Sequence, residues 1–500
     1  MKFNRILLNT VAVYIKIIIN TVITLISTRI VLQCLGVNDF GLYNLISGVV
    51  VLLSFLNGAL MVSTQRYLSI AIGEKNNDKL SLYFNASLSI HAILAISLIL
   101  VLFLLQPLLI NYVLNIPEES NATAHIIYDI MVVSSALTLL QVPYSAAMNA
   151  HEDIYVWAIT EALNCLLRLG AAVVLLFVSS YKLEIYTALV FVALMISAGI
   201  KFVWCRTKYF ETKLDILKMK NKAMIKEMFG FVGWNTLGSS AVLVRNQGVA
   251  ILLNMFYGTI INAAYGIANQ VNGLVMTLAS TITTVFSPSI MQARGAGDNE
   301  KMIRVAILSS KISFLISSVT ALPLLILMSQ ILHIWLGEVP QHTIEFCSLS
   351  LYVFMIMQLT AGLNRVIYAV GKIKWYQISI SLILFSIIPV GYILFKMGFA
   401  VETIFYVMII GQVLTLIANI YYSYKYVKYK VLKFSLQSVL LPFAIFLVLE
   451  ECASGYISMI EINTLNQIIV VVISMMVYVL AYIFSVFDIK ERKQLFRIIK

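Results

Sequence analysis

An all-α polytopic membrane protein of about 14 transmembrane helices is predicted by three features of this 500-residue sequence. Hydrophobic residues make up 61% of the chain and charged residues only 12%, with a mean hydropathy of +0.93. Apolar runs of about twenty residues or more recur along the whole length, each enough to cross ~30 Å of hydrocarbon as a helix. Lysines and arginines gather in every second loop, as alternating passages through a bilayer require.

Fourteen windows satisfy the apolar pattern, near 6–33, 40–70, 82–110, 124–148, 154–178, 185–204, 228–256, 260–286, 303–328, 344–370, 375–395, 401–424, 434–449 and 465–487. The first begins with basic residues, but its apolar stretch outruns a signal-peptide core and lacks a small-residue cleavage site, so it reads as a retained span. With the N-terminus in the cytoplasm, Lys2, Arg5, Arg66, Lys75 and Lys79 fall on the cytoplasmic side. So do the basic stretch from Lys201 to Lys226, the later clusters at 294–304, 365–374 and 425–433, and the C-terminal tail. Most of the 35 lysines and arginines are accounted for in this way, and both ends become cytoplasmic. The net charge of +12 is thus a topology signal, and a nucleic-acid partner is not expected.

Five scattered cysteines suggest neither a disulfide framework nor a metal site. Nucleotide-binding, zinc-protease and nucleophile-elbow motifs are absent, so neither enzymatic chemistry nor a cofactor is expected. No predicted loop has room for an extramembrane catalytic domain.

The expected organisation is an N-terminal six-helix bundle (1–208), a basic amphipathic cytoplasmic linker (209–227), a second six-helix bundle (228–430), two additional spans (431–487) and a basic tail (488–500). A shift of 222 positions aligns Gly36 with Gly258, Tyr43 with Tyr265, Gly73 with Gly295, Asp78 with Glu300 and Lys79 with Lys301. Each half has an even number of spans, so the two are parallel repeats.

Polar residues inside spans mark where water or substrate goes, since a charge at the bilayer centre costs ~2.5–3.5 kcal/mol even on insertion scales. In "LVRNQGVAILLNMF", Arg245 and Asn246 lie deep within span seven. Span eight sets Asn262, Gly266, Asn269, Gly273, Ser280 and Thr284 along one face, and span two repeats the pattern with Asn44, Ser47, Ser54 and Gly58. Span one contributes Asn9, Lys16, Asn20 and Ser27, with Lys16 about 15 Å inside at 1.5 Å per residue. Close helix packing through small residues is an equal reading of these stripes. Candidate substrate-binding residues are Arg245, Lys16, Asn20, Asn246, Asn269 and Asn44, with Arg29, Arg168 and Lys311 as further cations within spans. Snorkelling is an open alternative for Arg29 and Lys311. An internal network with Glu161 and Asn164 is one for Arg168.

Three stretches carry a family resemblance: "LGVNDFGLYNLISGV", "VPYSAAMNAHEDIYVWAITEALNCLLRL" and "AVGKIKWYQISISLILFSIIPVGYILFKMGF". With the fourteen-span plan, they resemble Wzx-type polysaccharide (O-antigen) flippases of the multidrug/oligosaccharidyl-lipid/polysaccharide exporter (MOP) superfamily. The resemblance implies two six-helix bundles around a cavity lined by spans one, two, seven and eight. It also implies alternating access that carries an undecaprenyl-pyrophosphate-linked oligosaccharide across the bacterial inner membrane for surface polysaccharide or lipopolysaccharide synthesis. A coupling ion (H+ or Na+) and partnership with a polysaccharide polymerase and glycosyltransferases come with it. On that reading Arg245 and Lys16 hold pyrophosphate, because arginine's planar fork donates bidentate hydrogen bonds. Two alternatives stay open: an ion-coupled multidrug exporter of the same superfamily, and a peptidoglycan-precursor flippase. A membrane-embedded glycosyltransferase would place acidic residues in a sizeable loop, whereas Glu118, Glu119, Glu450 and Glu451 sit in short ones.

Overall fold

The computed structural model describes residues 3–51, 55–113, 116, 120–215, 218, 221–336, 338–459, 464–489 and 491–492. Every regular element among them is helical, and the chain forms two compact units, Met1–Thr236 and Leu237–Lys500. Unit 1 contains α1 (Phe3–Val51), α2 (Phe55–Gly73), α3 (Asn77–Leu108), α4 (Asn121–Ala150), α5 (Ile154–Val174) and α6 (Lys182–Lys208), then the first turns of α7 (Lys222–Gly295). Unit 2 holds the rest of α7, then α8 (Asn299–Ile326), α9 (Met328–Leu336), α10 (Thr343–Gln358), α11 (Ala361–Val370), α12 (Lys374–Lys396) and α13 (Thr403–Tyr426). It closes with α14 (Val431–Phe434), α15 (Leu441–Met459) and α16 (Thr464–Val486).

Eleven of the described helices are long and apolar enough to cross a membrane, and α10 with α11, bent by 47°, makes a twelfth. The expected spans two and seven fall on the remaining arms, beside two interruptions that the repeat register anticipates. Gly36 breaks α1 at φ 76°, ψ 174°, and Gly258 breaks α7 at φ 82°, ψ −170°. Such angles are open essentially to glycine alone, so the chain turns there without a loop. The same offset recurs at the next turn. Lys75 and Gly297 both have positive φ (54° and 74°), and Asn76 and Asp298 cap the following helices by accepting from the backbone N–H of Lys79 and Lys301.

Inside unit 1, α1 packs along α5, α3 along α4, and α4 along α6. The predicted amphipathic linker does not lie free. Glu211 and Thr212 are fully buried. Asn85 on α3 then straps the irregular segment that follows, donating to the Lys213 carbonyl (3.2 Å) and accepting from the Asp215 N–H (2.9 Å). Two orphaned backbone groups thus gain a buried partner, which alternation of charge could not reveal.

Inside unit 2, the bend between α10 and α11 has a local cause. Gly362 donates its N–H to Ser310 Oγ (2.9 Å) and lies so close to α8 that an added Cβ would sit 1.9 Å from the Ala306 carbonyl oxygen. Asn419 reinforces the bend by donating to Thr360 Oγ1 at 2.9 Å. Gly362→Ala must therefore push two backbones apart, and overpacking of this kind costs about 1–3 kcal/mol. A lowered melting temperature in detergent is the expected result; unchanged melting would show that the contact gives way freely.

Span thirteen is longer than the sequence suggested. Helix runs from α14 through a π turn (Ser435–Leu440) into α15, past Glu450 and Glu451. Glutamate is a good helix former, and Glu450 is also satisfied within the bundle, accepting from Tyr352 Oη (3.2 Å) and Ser454 Oγ (3.4 Å). Glu118 and Glu119 lie outside the described residues.

Candidate functional site

In unit 2 the Gly258 turn folds α7 back on itself. Tyr265 Oη then donates to the Asn246 carbonyl (3.4 Å). Between the two arms lies a cavity of about 470 Å³, reached by Asn246 and Gln247 from one arm and by Asn262, Tyr265, Asn269 and Asn272 from the other. Gly266 and Gly273 keep it open, since nothing stands within 4 Å of where their Cβ atoms would be. Asn272 Oδ1 is buried there without a hydrogen-bond partner.

Arg245 does not itself line this cavity, but it is bonded to Asn246, which does. Its Nε and Nη2 both donate to Asn246 Oδ1, at 3.1 and 2.8 Å. One neutral acceptor therefore occupies two of the five guanidinium donors, and no carboxylate among the described residues pairs with the charge. Asn246 and Asn269 thus share one cavity, with Arg245 bonded to the first of them. Ser280 and Thr284 of the same stripe turn their hydroxyls onto their own helix, bonding the carbonyls of Thr277 and Ser280. Asn44 lies outside the described side chains.

The polar face of span one has a different destination from the one expected. It packs against α5 within unit 1. Asn9 is a buried cap for α5, donating to the Glu152 carbonyl (2.8 Å) and accepting from the Tyr155 N–H (3.0 Å). Lys16 places its ammonium 4.3 Å from the Trp157 ring centroid, a cation–π contact that stabilises by about 0.5–2 kcal/mol. Asn20 and Ser27 face a cavity of about 330 Å³ with Glu161, Asn164 and Arg168 of α5. Arg168 also lines a second cavity of about 330 Å³, with Tyr43 and Asn57.

Lys201 is the residue that sequence reasoning misplaced most. Counted among cytoplasmic loop charges, it is instead buried in α6, donating to Glu161 Oε1 (2.5 Å) and Gln141 Oε1 (3.1 Å). The available signal was its position seven residues inside an apolar helix, opposite a glutamate equally out of place. Arg66, placed in the same class, is buried against Tyr67 and Phe231, with its guanidinium 4.6 and 4.9 Å from their centroids.

Two of the remaining candidates are accounted for without a ligand. Lys311 is buried and paired with Glu491 at 2.8 Å, beside the Phe487 ring. Its charge is neutralised inside unit 2 and leaves nothing over for a substrate. Arg29 is exposed on α1, as snorkelling requires. Outside the spans, burial and a hydrogen bond to Asp153 hold the Tyr209 hydroxyl above its ordinary titration range. That ring stacks on His151, which in turn pairs with buried Glu211 at 2.6 Å. No group of three or more metal-ligating side chains occurs among the described residues.

No protein-family model matches the chain. An uncharacterized membrane protein, EpsK of Bacillus subtilis, is 24% identical over 317 residues, covering 62% of this chain. The match spans 61% of the length of that relative. Among solved structures, a MATE protein in the bent conformation superposes with a TM-score of 0.73 at 12% identity, covering 88% of this chain and 99% of that one. An outward-facing multidrug resistance MATE transporter of the MOP superfamily gives 0.72 at 11%, covering 87% and 97%. A MOP superfamily transporter from Pyrococcus furiosus, described as having a binding pocket of reverse polarity, gives 0.71 at 11%, covering 85% and 95%. The chain is a multi-pass membrane protein with the all-helical fold of the MATE transporters of the MOP superfamily.

Proposed function

We propose that this chain is a flippase for an undecaprenyl-pyrophosphate-linked oligosaccharide, acting by alternating access in the bacterial inner membrane with both ends in the cytoplasm. The observation that carries this reading is the state of Arg245. A guanidinium inside a span is costly, yet this one has no carboxylate partner among the described residues and spends two donors on a single amide oxygen. Its bonded neighbour Asn246 lines a cavity of amides and a tyrosine. Such a site attracts an anion with hydroxyl groups and repels an organic cation, which supports this reading over that of a multidrug exporter on the same fold. Among the described lining residues of that cavity there is no Asp or Glu to hold a cation.

Surface polysaccharide synthesis is the process such a substrate serves, with a polymerase and glycosyltransferases as the neighbouring activities and H+ or Na+ as the coupling ion. The decisive measurement uses the full chain in proteoliposomes. Translocation of a fluorescent lipid-pyrophosphate-oligosaccharide is expected to exceed that of the same lipid carrying a cationic head. Preferential movement of organic cations would establish the exporter reading instead. Equal movement of a peptidoglycan precursor would widen the substrate class to both flippase kinds.

A further inference from the structure

Unit 1 carries a polar site of its own, separate in sequence and composition from the Arg245 cavity. Three buried acceptor atoms around its first cavity have no hydrogen-bond partner: Asn20 Oδ1, Ser27 Oγ and Asn164 Oδ1. Ser27 and Asn164 are themselves only 9% and 8% exposed. A buried polar atom left unpaired is costly, so three around one cavity call for hydrogen-bond donors from what fills it, water without a ligand and hydroxyl groups when a ligand displaces that water. Arg168, exposed to the same space, lines the second cavity as well and has no carboxylate partner among the described residues. The cavity wall is aromatic. Tyr43 and Tyr186 meet at 5.4 Å between centroids, and both rings lie within electrostatic reach of Arg168.

The charge balance limits the ligand. Glu161 faces the cavity, but its charge is met by Lys201. Among the described residues that line this cavity, Arg168 carries the one positive charge, while Lys16 sits over the Trp157 ring and is not part of the lining. A single guanidinium suits a monoanion held bidentately, the geometry of a carboxylate. A pyrophosphate is poorly matched because Glu161 shares this wall, whereas the cavity beside Asn246 has no Asp or Glu among its described lining residues. Unpaired acceptors call for hydroxyl donors, and flat rings suit the apolar face of a pyranose. Each cavity, at about 330 Å³, is at the small end of the ~300–1,000 Å³ range of ligand pockets. That is room for one sugar and little more.

We propose that unit 1 holds a subsite for a carboxylate-bearing sugar, a hexuronate, of the transported glycan. Arg168 takes the carboxylate, and Asn20, Ser27 and Asn164 accept from ring hydroxyls. The proposal rests on the flippase reading for its biological meaning. Its test does not, because a free monosaccharide needs neither a lipid carrier nor translocation to bind.

The experiment is saturation-transfer NMR on the full chain in lipid nanodiscs, with D-glucuronate, D-glucose and inorganic pyrophosphate as separate probes. Glucuronate is expected to bind about tenfold or more tightly than glucose, the step that one charge-assisted contact supplies. Arg168→Gln should remove that advantage, and Arg168→Lys should keep part of it. Thr28→Asp serves as a second variant, placing a new carboxylate at an exposed position on the cavity rim. It should weaken glucuronate while leaving glucose unchanged, whether or not Arg168→Gln folds. Equal binding of glucose and glucuronate would overturn the proposal. So would preference for pyrophosphate, or glucuronate binding that neither variant alters.

Discussion

Arg245→Ala is expected to abolish translocation of the lipid-pyrophosphate-oligosaccharide while the protein still inserts and accumulates normally. The two halves of that expectation have separate physical grounds. Removing the guanidinium takes away the charge that meets the diphosphate, and a charged hydrogen bond in a desolvated site is worth about 1.5–3 kcal/mol per contact. A bidentate loss therefore reduces transport by two orders of magnitude or more. Stability should suffer little, because among the described residues no carboxylate pairs with Arg245. Its two bonds go to the neighbouring Asn246, and loss of a charge from a span relieves an insertion penalty of ~2.5–3.5 kcal/mol. Transport assays in proteoliposomes, with protein yield measured in parallel, separate the two effects. Full transport by the alanine variant would remove Arg245 from substrate recognition. Loss of yield together with transport would make it a structural residue.

The second large effect is expected at the Glu161–Lys201 pair, and it should be asymmetric. Lys201 is 4% exposed in its side chain and Glu161 29%. Among the described residues, Glu161→Leu leaves the buried ammonium with only Gln141 Oε1 (3.1 Å) for company, and it also removes a carboxylate near Lys16. Breaking a buried pair in this way costs about 3–5 kcal/mol. Lys201→Met is milder, because the surviving carboxylate faces a cavity and can be hydrated there. The double variant Glu161→Leu/Lys201→Met should recover most of the loss, since a matched apolar pair replaces a matched ionic one. Denaturation in detergent reads all three. Equal losses in the two single variants would mean that burial does not govern the pair.

Helices and their repeat were legible in the sequence because both depend on local rules. A span needs about twenty apolar residues wherever they fall. A glycine at a positive-φ turn is demanded by backbone sterics at that position alone, and Gly36 and Gly258 obey the rule 222 residues apart. That Asn246 and Asn269 share a cavity, with Arg245 bonded to Asn246, follows from the two arms of one turned helix, close in sequence. Side chains whose partners come from distant helices were not legible. Lys201 and Lys311 looked like near-surface cations until α5 and the residues after α16 supplied Glu161 and Glu491.

The sequence by itself therefore determined the membrane class, the helical plan, the twofold internal register and the presence of cations that a bilayer penalises. Which cations are neutralised and which are left over was decided only by tertiary packing. A charge in low dielectric is governed by whatever lies within a few ångströms, and helices far apart in the chain supply those neighbours. Asn9, Lys16 and Asn20 share one face of α1, yet packing against α5 makes the first a helix cap, the second a cation–π partner and the third an unpaired cavity wall.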